Sequence, residues 1–580
     1  MRTAWCWLRF ISLLTVAACS SQTAPPPPPP LAASFDVSGL ATSVVAAVAS
    51  FTVTAKDTSG RTVTAYTGTV HFTTTDLGAV VPADYTFVRA DAGTKTFNAT
   101  FETIGVQTLT ATDTASSSIT GSSQLTVAAT LVFTGQPSTT QGGEPITPPV
   151  SVAIQNASGI TMTSVTAAVT LALGANPHGG TLAGTTTVNA VAGVATFSNL
   201  TVDRPWTGYT LVATAPGLIG ATSAPFNMRL TFTSVTAGGA HTCGLTPAHE
   251  AYCWGYNGYG QLGDGTTVDH TIPGAVAGGL RFTAVSAGYD HTCGLAVAGS
   301  AYCWGDNGYG QLGDGTTTNR TTPVPVLGGL SFAAVAAGDA NTCGVTTAGA
   351  AYCWGYNVAG QLGDGTTTNR TTPVGVLGGL IFVGVSAGGS HSCGVTTAGA
   401  AYCWGSNVVG SLGDGTTTDR SSPVAVVGGL TFSAVTASGT LTCGVTTSSA
   451  GYCWGGNAYG ELGNGTVDAN QWSPWPVAGG LSFAAITAGG QHGCAMTVAG
   501  SGYCWGYNDL GQLGDGTTTQ RLSPVLIAGA ITFTGMSAAL LWHSCGVTSS
   551  GTALCWGDNS SGQLGDGTLS DRYAPVNVIQ

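Results

Sequence analysis

Lysine is almost missing from this chain. Of 580 residues only Lys56 and Lys95 are lysines, and all charged residues together make up 7%. Surfaces that neutralise nucleic-acid phosphates are built from clustered Lys and Arg, so nucleic acid is excluded as the expected partner. The formal net charge of −12, from 26 acidic and 14 basic residues, points the same way. Cysteine is absent between Cys19 and Cys243, so whatever folds there is held by core packing without covalent staples. Beyond the first twenty residues no apolar run is long enough to span a bilayer as a helix. With 43% apolar residues and 88 glycines, the chain is neither a charged coil nor a disordered tail. The composition predicts a long, glycine-punctuated, all-β protein of several domains.

The chain begins MRTAWCWLRFISLLTVAACSS. Arg2 and Arg9 stand ahead of a short apolar run from Phe10 to Ala18, so residues 1–18 are expected to be an export signal peptide. Val16-Ala17-Ala18-Cys19 resembles the lipobox of bacterial lipoproteins, which implies that Cys19 is lipidated and becomes the first residue of the mature chain. An ordinary signal cut after a small residue, giving a secreted protein, is the alternative. The prolines Pro25 to Pro30 favour extended polyproline II geometry, so residues 19–32 read as an anchor and a spacer. The expected location is a bacterial outer membrane or cell surface, with membrane contact through the lipid alone.

Residues 33–128 alternate in short runs such as ASFTVTAKD, GTVHFTT and QTLTATD, each bounded by turn residues. Residues 129–228 do the same in SVAIQNASG, AAVTLALG, GVATFSNL and GYTLVATA. Period-two alternation with regular turns predicts two β-sandwiches. Both stretches resemble the immunoglobulin-like modules of bacterial surface proteins, a resemblance that implies spacers or adhesive modules.

From residue 229 to 580 the text repeats every 50 or 51 residues, marked by Trp254, Trp304, Trp354, Trp404, Trp454, Trp505 and Trp556. Each unit holds four strand-like segments between glycine-rich turns, and seven such units predict a seven-bladed β-propeller. The repeated spelling, as in NTCGVTTAGAAYCWG and AYCWGDNGYGQLGDGT, resembles the repeat of the regulator of chromosome condensation family. That family implies a propeller used as a binding platform. Its best-known member is a nuclear guanine-nucleotide exchange factor that works through a protruding insertion and a basic tail. Uniform repeat lengths and the lack of lysine after residue 229 argue against carrying that activity over. A secreted bacterial β-lactamase inhibitor with the same propeller type is a nearer analogue in compartment.

Fourteen cysteines form seven pairs ten residues apart: Cys243 and Cys253, Cys293 and Cys303, Cys343 and Cys353, Cys393 and Cys403, Cys443 and Cys453, Cys494 and Cys504, Cys545 and Cys555. An even separation centred on a turn sets the two residues opposite one another in a hairpin, so a disulfide in every blade is expected, with buried free thiols as the alternative. His241, His291, His391, His492 and His543 stand two places before the first cysteine, while Asn341 and Leu441 take that place in two units. Copies on separate blades would lie too far apart to share a metal, so these histidines are expected to bond to neighbouring backbone, and no metal or cofactor is expected. Asp264, Asp314, Asp364, Asp414, Asp515 and Asp566 sit in Gly-Asp-Gly turns, with Asn464 in the fifth unit. Asn shares with Asp the capping oxygen but not the charge, which favours turn formation over calcium binding or acid catalysis. Each repeated tryptophan is expected to pack between blades with its N–H on a backbone partner.

Shared residues serve the fold, so specificity is expected where the copies differ. The turn before each His-x-Cys varies, giving Tyr289, Asp290, Asp339, Leu540, Leu541 and Trp542 as partner-binding candidates. The fifth unit adds Trp472 and Trp475 within Gln471-Trp472-Ser473-Pro474-Trp475. Local repacking or ring closure is the competing explanation for these departures. No nucleophile, base and orienting acid emerge from the repeated text. The expected function is non-enzymatic binding or scaffolding by a monomer at the cell surface, with a protein or glycan partner. The alternatives are an inhibitor of a secreted enzyme and an extracellular enzyme using the propeller channel.

Overall fold

The computed structural model describes residues 31–177, 179–467 and 470–579. The expected signal peptide, Cys19 and the proline run lie outside the described residues. The described chain is all-β, with a single turn of 3₁₀ helix at Arg89–Asp91.

Residues 34–128 form two facing sheets. One pairs Ser34–Ser38, Val48–Lys56 and Thr94–Thr100, and the other places Gly105–Asp113 between Thr69–Thr74 and Thr120–Ala128. Their inward residues alternate along each strand, so Phe51 meets Phe72 edge-on at 5.5 Å across the core. Thr130–Gly135 follows Thr120–Ala128 after a single residue, and the buried residues of both sandwiches form one continuous cluster. The segment GYTLVATA divides: Trp206–Tyr209 pairs in one sheet and Leu211–Thr214 in another.

Seven four-stranded antiparallel sheets follow, each made of four consecutive strands. In blade two these are Phe282–Ala287, His291–Ala296, Ala301–Gly305 and Arg320–Pro325, from the innermost strand outward. The innermost strand's N–H edge is sealed by the neighbouring blade: Ala287 N donates to Thr236 Oγ (3.1 Å) and Ala337 N to Ser286 Oγ (3.0 Å). The outermost strand carries a proline in every blade, from Pro273 through Pro323 to Pro575. Proline cannot donate to a ladder, so these exposed edges are poor templates for pairing with another chain.

Cysteines 293 and 303 face each other in register on the second and third strands, and a disulfide joins them, as it joins each of the other six pairs. All fourteen are fully buried. The disulfide of one blade is a wall of the core shared with the next. Cys243, Cys253 and Leu262 of blade one pack against Phe282 and Trp304 of blade two, and the same cluster recurs at the seam where Cys545, Cys555 and Leu564 meet Phe232 and Trp254. Seven blades therefore close without exchanging a strand. Trp354→Ala is expected to destabilise by about 3–5 kcal/mol through the cavity it opens. Joint replacement of Cys343 and Cys353 by Ala is expected to remove about 2–3 kcal/mol from a loop this short. Urea unfolding of the oxidised chain measures both, and a disulfide variant as stable as the parent contradicts the second value.

Candidate functional site

The shared residues form a belt of hydrogen bonds from blade to blade. The Gln261 carbonyl in the loop after the third strand of blade one accepts from Trp304 Nε1 (2.9 Å) and from Thr292 Oγ (2.9 Å) of blade two. His241 Nε2 lies 2.8 Å from the same Thr292 hydroxyl. Because that hydroxyl gives its proton to the carbonyl, the imidazole donates to it, which places a proton on Nε2. The histidines therefore bond to a side chain of the next blade, and His391 also bonds backbone, at Gly439, as the sequence suggested for all of them. Asn341 substitutes with Nδ2 on Ser392 Oγ (3.3 Å). Leu441 and Gly493 occupy the two ends of this link at the seam between blades five and six, so both partners are absent together.

Burial pushes His241, His291 and His543 down to about 3, and His391 and His492 down to about 4. Their copies stand on different blades, and among the described residues no group of three or more His, Cys, Asp or Glu is placed to hold a metal ion.

In the Gly-Asp-Gly turn, Asp314 Oδ1 accepts from Thr316 N (3.0 Å) and Thr316 Oγ (2.7 Å), while Oδ2 takes Arg320 Nε (2.9 Å) and a terminal guanidinium nitrogen (2.7 Å). Burial alone would raise this carboxyl, but the bonds from Thr316 and Arg320 outweigh it and hold it low. Arg370, Arg420, Arg521 and Arg572 repeat the pair. The arginine six residues on was not anticipated from the sequence. Its signal was the fifth unit, where Asn464 keeps the cap and Gln471 replaces the arginine.

The antiparallel order puts the loops after the first and third strands on one face. There the copy-specific residues come in pairs. The residue after each Trp-Gly donates its N–H to the carbonyl of the variable turn: Tyr256 to Ala240 (2.9 Å), Asp306 to Asp290 (2.8 Å), Tyr356 to Ala340 (2.9 Å), Asp558 to Trp542 (2.9 Å). Gly305 permits this crossing at φ 103°, since a Cβ there would lie 2.6 Å from the Asp290 carbonyl oxygen. The third-strand loops add residues the sequence reading passed over, among them Tyr259, Tyr309 and Tyr459, all exposed. Tyr309 meets Tyr356 of the next blade at 4.8 Å, and Tyr459 meets Tyr507 at 5.0 Å. The variation at the position after Trp-Gly (Tyr256, Asp306, Tyr356, Ser406, Gly456, Tyr507, Asp558) was the available signal.

Tyr289, Asp290 and Asp339 lie together on this face, at the inner loops of blades two and three. Burial raises Asp290 to about 6, helped by Asp306 and Asp339, and burial raises Asp339 to about 6 as well. Leu540 and Leu541 are half-buried and Trp542 exposed in the inner loop of blade seven. Trp472 and Trp475 are elsewhere: both are about half exposed on the outermost strand Gln471–Pro476 of blade five, Trp472 lying over Gly410 of blade four. The structure therefore divides the aromatic candidates between a loop face and an outer rim.

Stability is expected to fall on acidification. Each histidine is depressed below its ordinary 6.5, so its contribution is complete above that pH and is lost as pH falls toward 4. Asp290 and Asp339, raised, act oppositely between pH 6 and 4, and Glu461, raised by burial, acts with them, but three groups stand against five. The urea midpoint should drop between pH 7 and 4.5. His291→Asn, which copies Asn341, should flatten that slope, and an unchanged slope would show that the ring titrates elsewhere.

Models of the regulator of chromosome condensation (RCC1) repeat match residues 249–295, 298–345, 348–395, 452–496 and 499–546, and a second form of the repeat matches 232–261, 282–311, 332–361, 382–411 and 541–563. The chain is 36% identical over 97 residues to the human probable E3 ubiquitin-protein ligase HERC4, and 32% identical over 107 residues to human HERC3. These matches cover 16% and 17% of this chain and only 9% and 10% of those proteins. Among solved structures, human WBSCR16 superposes with a TM-score of 0.53 at 22% identity, covering 57% of this chain and 94% of that one. Prp20p of Saccharomyces cerevisiae superposes with 0.52 at 21% identity, covering 60% and 88%. At these identities the likeness is one of fold.

Proposed function

Because the chain is an RCC1-repeat propeller protein, we propose that it is a binding or scaffolding protein, not an enzyme, whose loop face engages a protein partner. The observation that carries this reading is the composition of that face. Tyr289 and Tyr309 stand exposed there on blade two, which carries Asp290 and Asp306 and adjoins Asp339 of blade three, and Trp542 stands exposed on blade seven, where its carbonyl accepts from Asp558 N. Arg320, Arg370, Arg420, Arg521 and Arg572 are committed to Gly-Asp-Gly turns and Arg281 to Glu250, and none of these pairs involves the loop-face acids. Tyrosine offers large, rigid contact area at low entropy loss, and uncompensated carboxylates favour a partner with a basic contact segment. Yeast RCC1 (Prp20) has been seen with Kap60 bound, and Prp20p has been studied for binding to Gsp1p and histones. A propeller that presents a protein-binding surface is the part of that behaviour we carry over; nucleotide exchange is not.

We place this propeller at a cell surface, exported and held by lipid on Cys19, with two immunoglobulin-like modules as the stalk. That placement rests on the lipobox-like sequence, the proline run and the disulfide in every blade, since buried disulfides form in oxidising compartments. The contiguity of Tyr289, Asp290 and Asp339 favours one narrower version, an inhibitor of a secreted enzyme.

Capture of secreted and surface proteins on the immobilised full chain tests the reading. Tyr289→Ala and Trp542→Ala are each expected to weaken retention of the partner at least tenfold, and Trp475→Ala on the rim to leave it unchanged. Retention by both face variants at parental strength removes the loop face as the binding surface. Metabolic labelling with palmitate, lost in Cys19→Ala, tests the anchor.

A further inference from the structure

The repeats provide six internal controls for every position of a blade, and blade one with its junction into blade two departs from them in a concentrated way. Glu250 stands where other blades have Ser300, Ala350 or Thr552, and His270 where they have arginine or Gln471. Gly274 replaces the valine of Val324 and Val374, and at the junction into blade two Arg281 stands where Thr231, Ser331 or Thr431 precedes the first strand of other blades. All four residues line one cavity of about 510 Å³, closed on its other side by Asp203, Arg204 and Trp206 of the second sandwich.

The departures are coupled physically. A Cβ on Gly274 would lie 2.6 Å from His270 Nδ1, so the usual valine is incompatible with this imidazole, and glycine makes room for it. His270 Nε2 is held 3.2 Å from Asp264 Oδ2. Arg281 is pinned by Glu250 (2.5 Å) and by the Ala248 carbonyl (3.0 Å). Tyr252 lies among these charges: burial, then Glu250, pushes its hydroxyl up to about 12, and Arg204, Asp203 and Arg281 are all within electrostatic reach of it. A junction that served only to dock two domains would close on itself, whereas this one leaves a space of ligand size.

Two guanidinium groups and two carboxylates balance, so the cleft does not select an ion by net charge. It offers aromatic surface from Trp206 and Tyr252 together with directional donors and acceptors. That combination suits a molecule with an apolar C–H face and a rim of hydroxyls. We propose that the cleft between the second sandwich and blade one binds a neutral saccharide of about one or two rings, with Trp206 against the sugar face and Glu250, Arg281 and His270 on its hydroxyls. The proposal does not depend on the loop face, which uses none of these residues.

Saturation-transfer difference NMR on the full chain tests it, with glucose, galactose, N-acetylglucosamine, maltose and chitobiose as probes at millimolar concentration. At least one probe is expected to show transfer, and Glu250→Ala to weaken it at least tenfold. Ala275→Trp fills the cleft from an exposed position on its wall and should abolish transfer without disturbing the charged network. Trp472→Ala, on the rim of blade five, should change nothing. If no probe shows transfer, or if transfer survives both Glu250→Ala and Ala275→Trp, the cleft is not a saccharide site.

Discussion

The carbonyl of Gln261 takes two hydrogen bonds from the adjoining blade, and the requirement to hold it there shapes most of the repeat. A fully buried indole N–H such as that of Trp304 must find an acceptor, and this carbonyl is the one it uses. The loop bearing the carbonyl is in turn fixed by Asn257, whose Oδ1 accepts from Leu262 N (3.0 Å) and whose Nδ2 donates to the carbonyls of Thr266 and Val268. Asp314 and its equivalents close the same loop. Most letters of the repeated text are thus committed to one seam, and the freedom to vary survives only at positions whose side chains leave the loop outward.

This explains which features could be read from the sequence. The cysteine pairs were legible because both partners lie in one hairpin, where spacing fixes register. The tryptophans were legible in role, though not in partner. The histidines misled, because their acceptor lies in the next repeat, 51 residues from His241 to Thr292, and no local rule connects the two. Only the joint departure of Leu441 and Gly493 hinted at it. The pairing of variable positions was hidden for the same reason: Asp290 and Asp306 are neighbours through a backbone bond set by a glycine at positive φ. The division of Trp472 and Trp475 from Trp542 needed the strand order, since sequence variability marks a position but not the face it occupies.

Charge follows the same logic. The propeller uses most of its few arginines to steady turns, so Asp290 and Asp306 on its loop face are met by the neutral amides of Gln261 and Gln311 and not by a cation, and desolvation at the inner loops raises Asp290 and Asp339. Blade one breaks the pattern with His270 and Glu250, and the junction into blade two with Arg281, and it is there that the sandwich meets the ring. Repetition supplies the frame, and exceptions to it mark the places where something besides the frame is being held.

The seam between blades seven and one carries the bonds of an ordinary seam: Trp254 Nε1 and Thr242 Oγ on the Gln563 carbonyl, His543 on Thr242, and Ala237 N on Ser537 Oγ. No strand crosses it, and no covalent link is needed to make it. The ring therefore has no structural beginning. Chain order and spatial order are separable here, so a polypeptide opened between two other blades and joined through its present ends would meet the same seven seams. What singles out blade one is the point at which the rest of the chain enters, and the exceptional residues of that blade are the record of that entry.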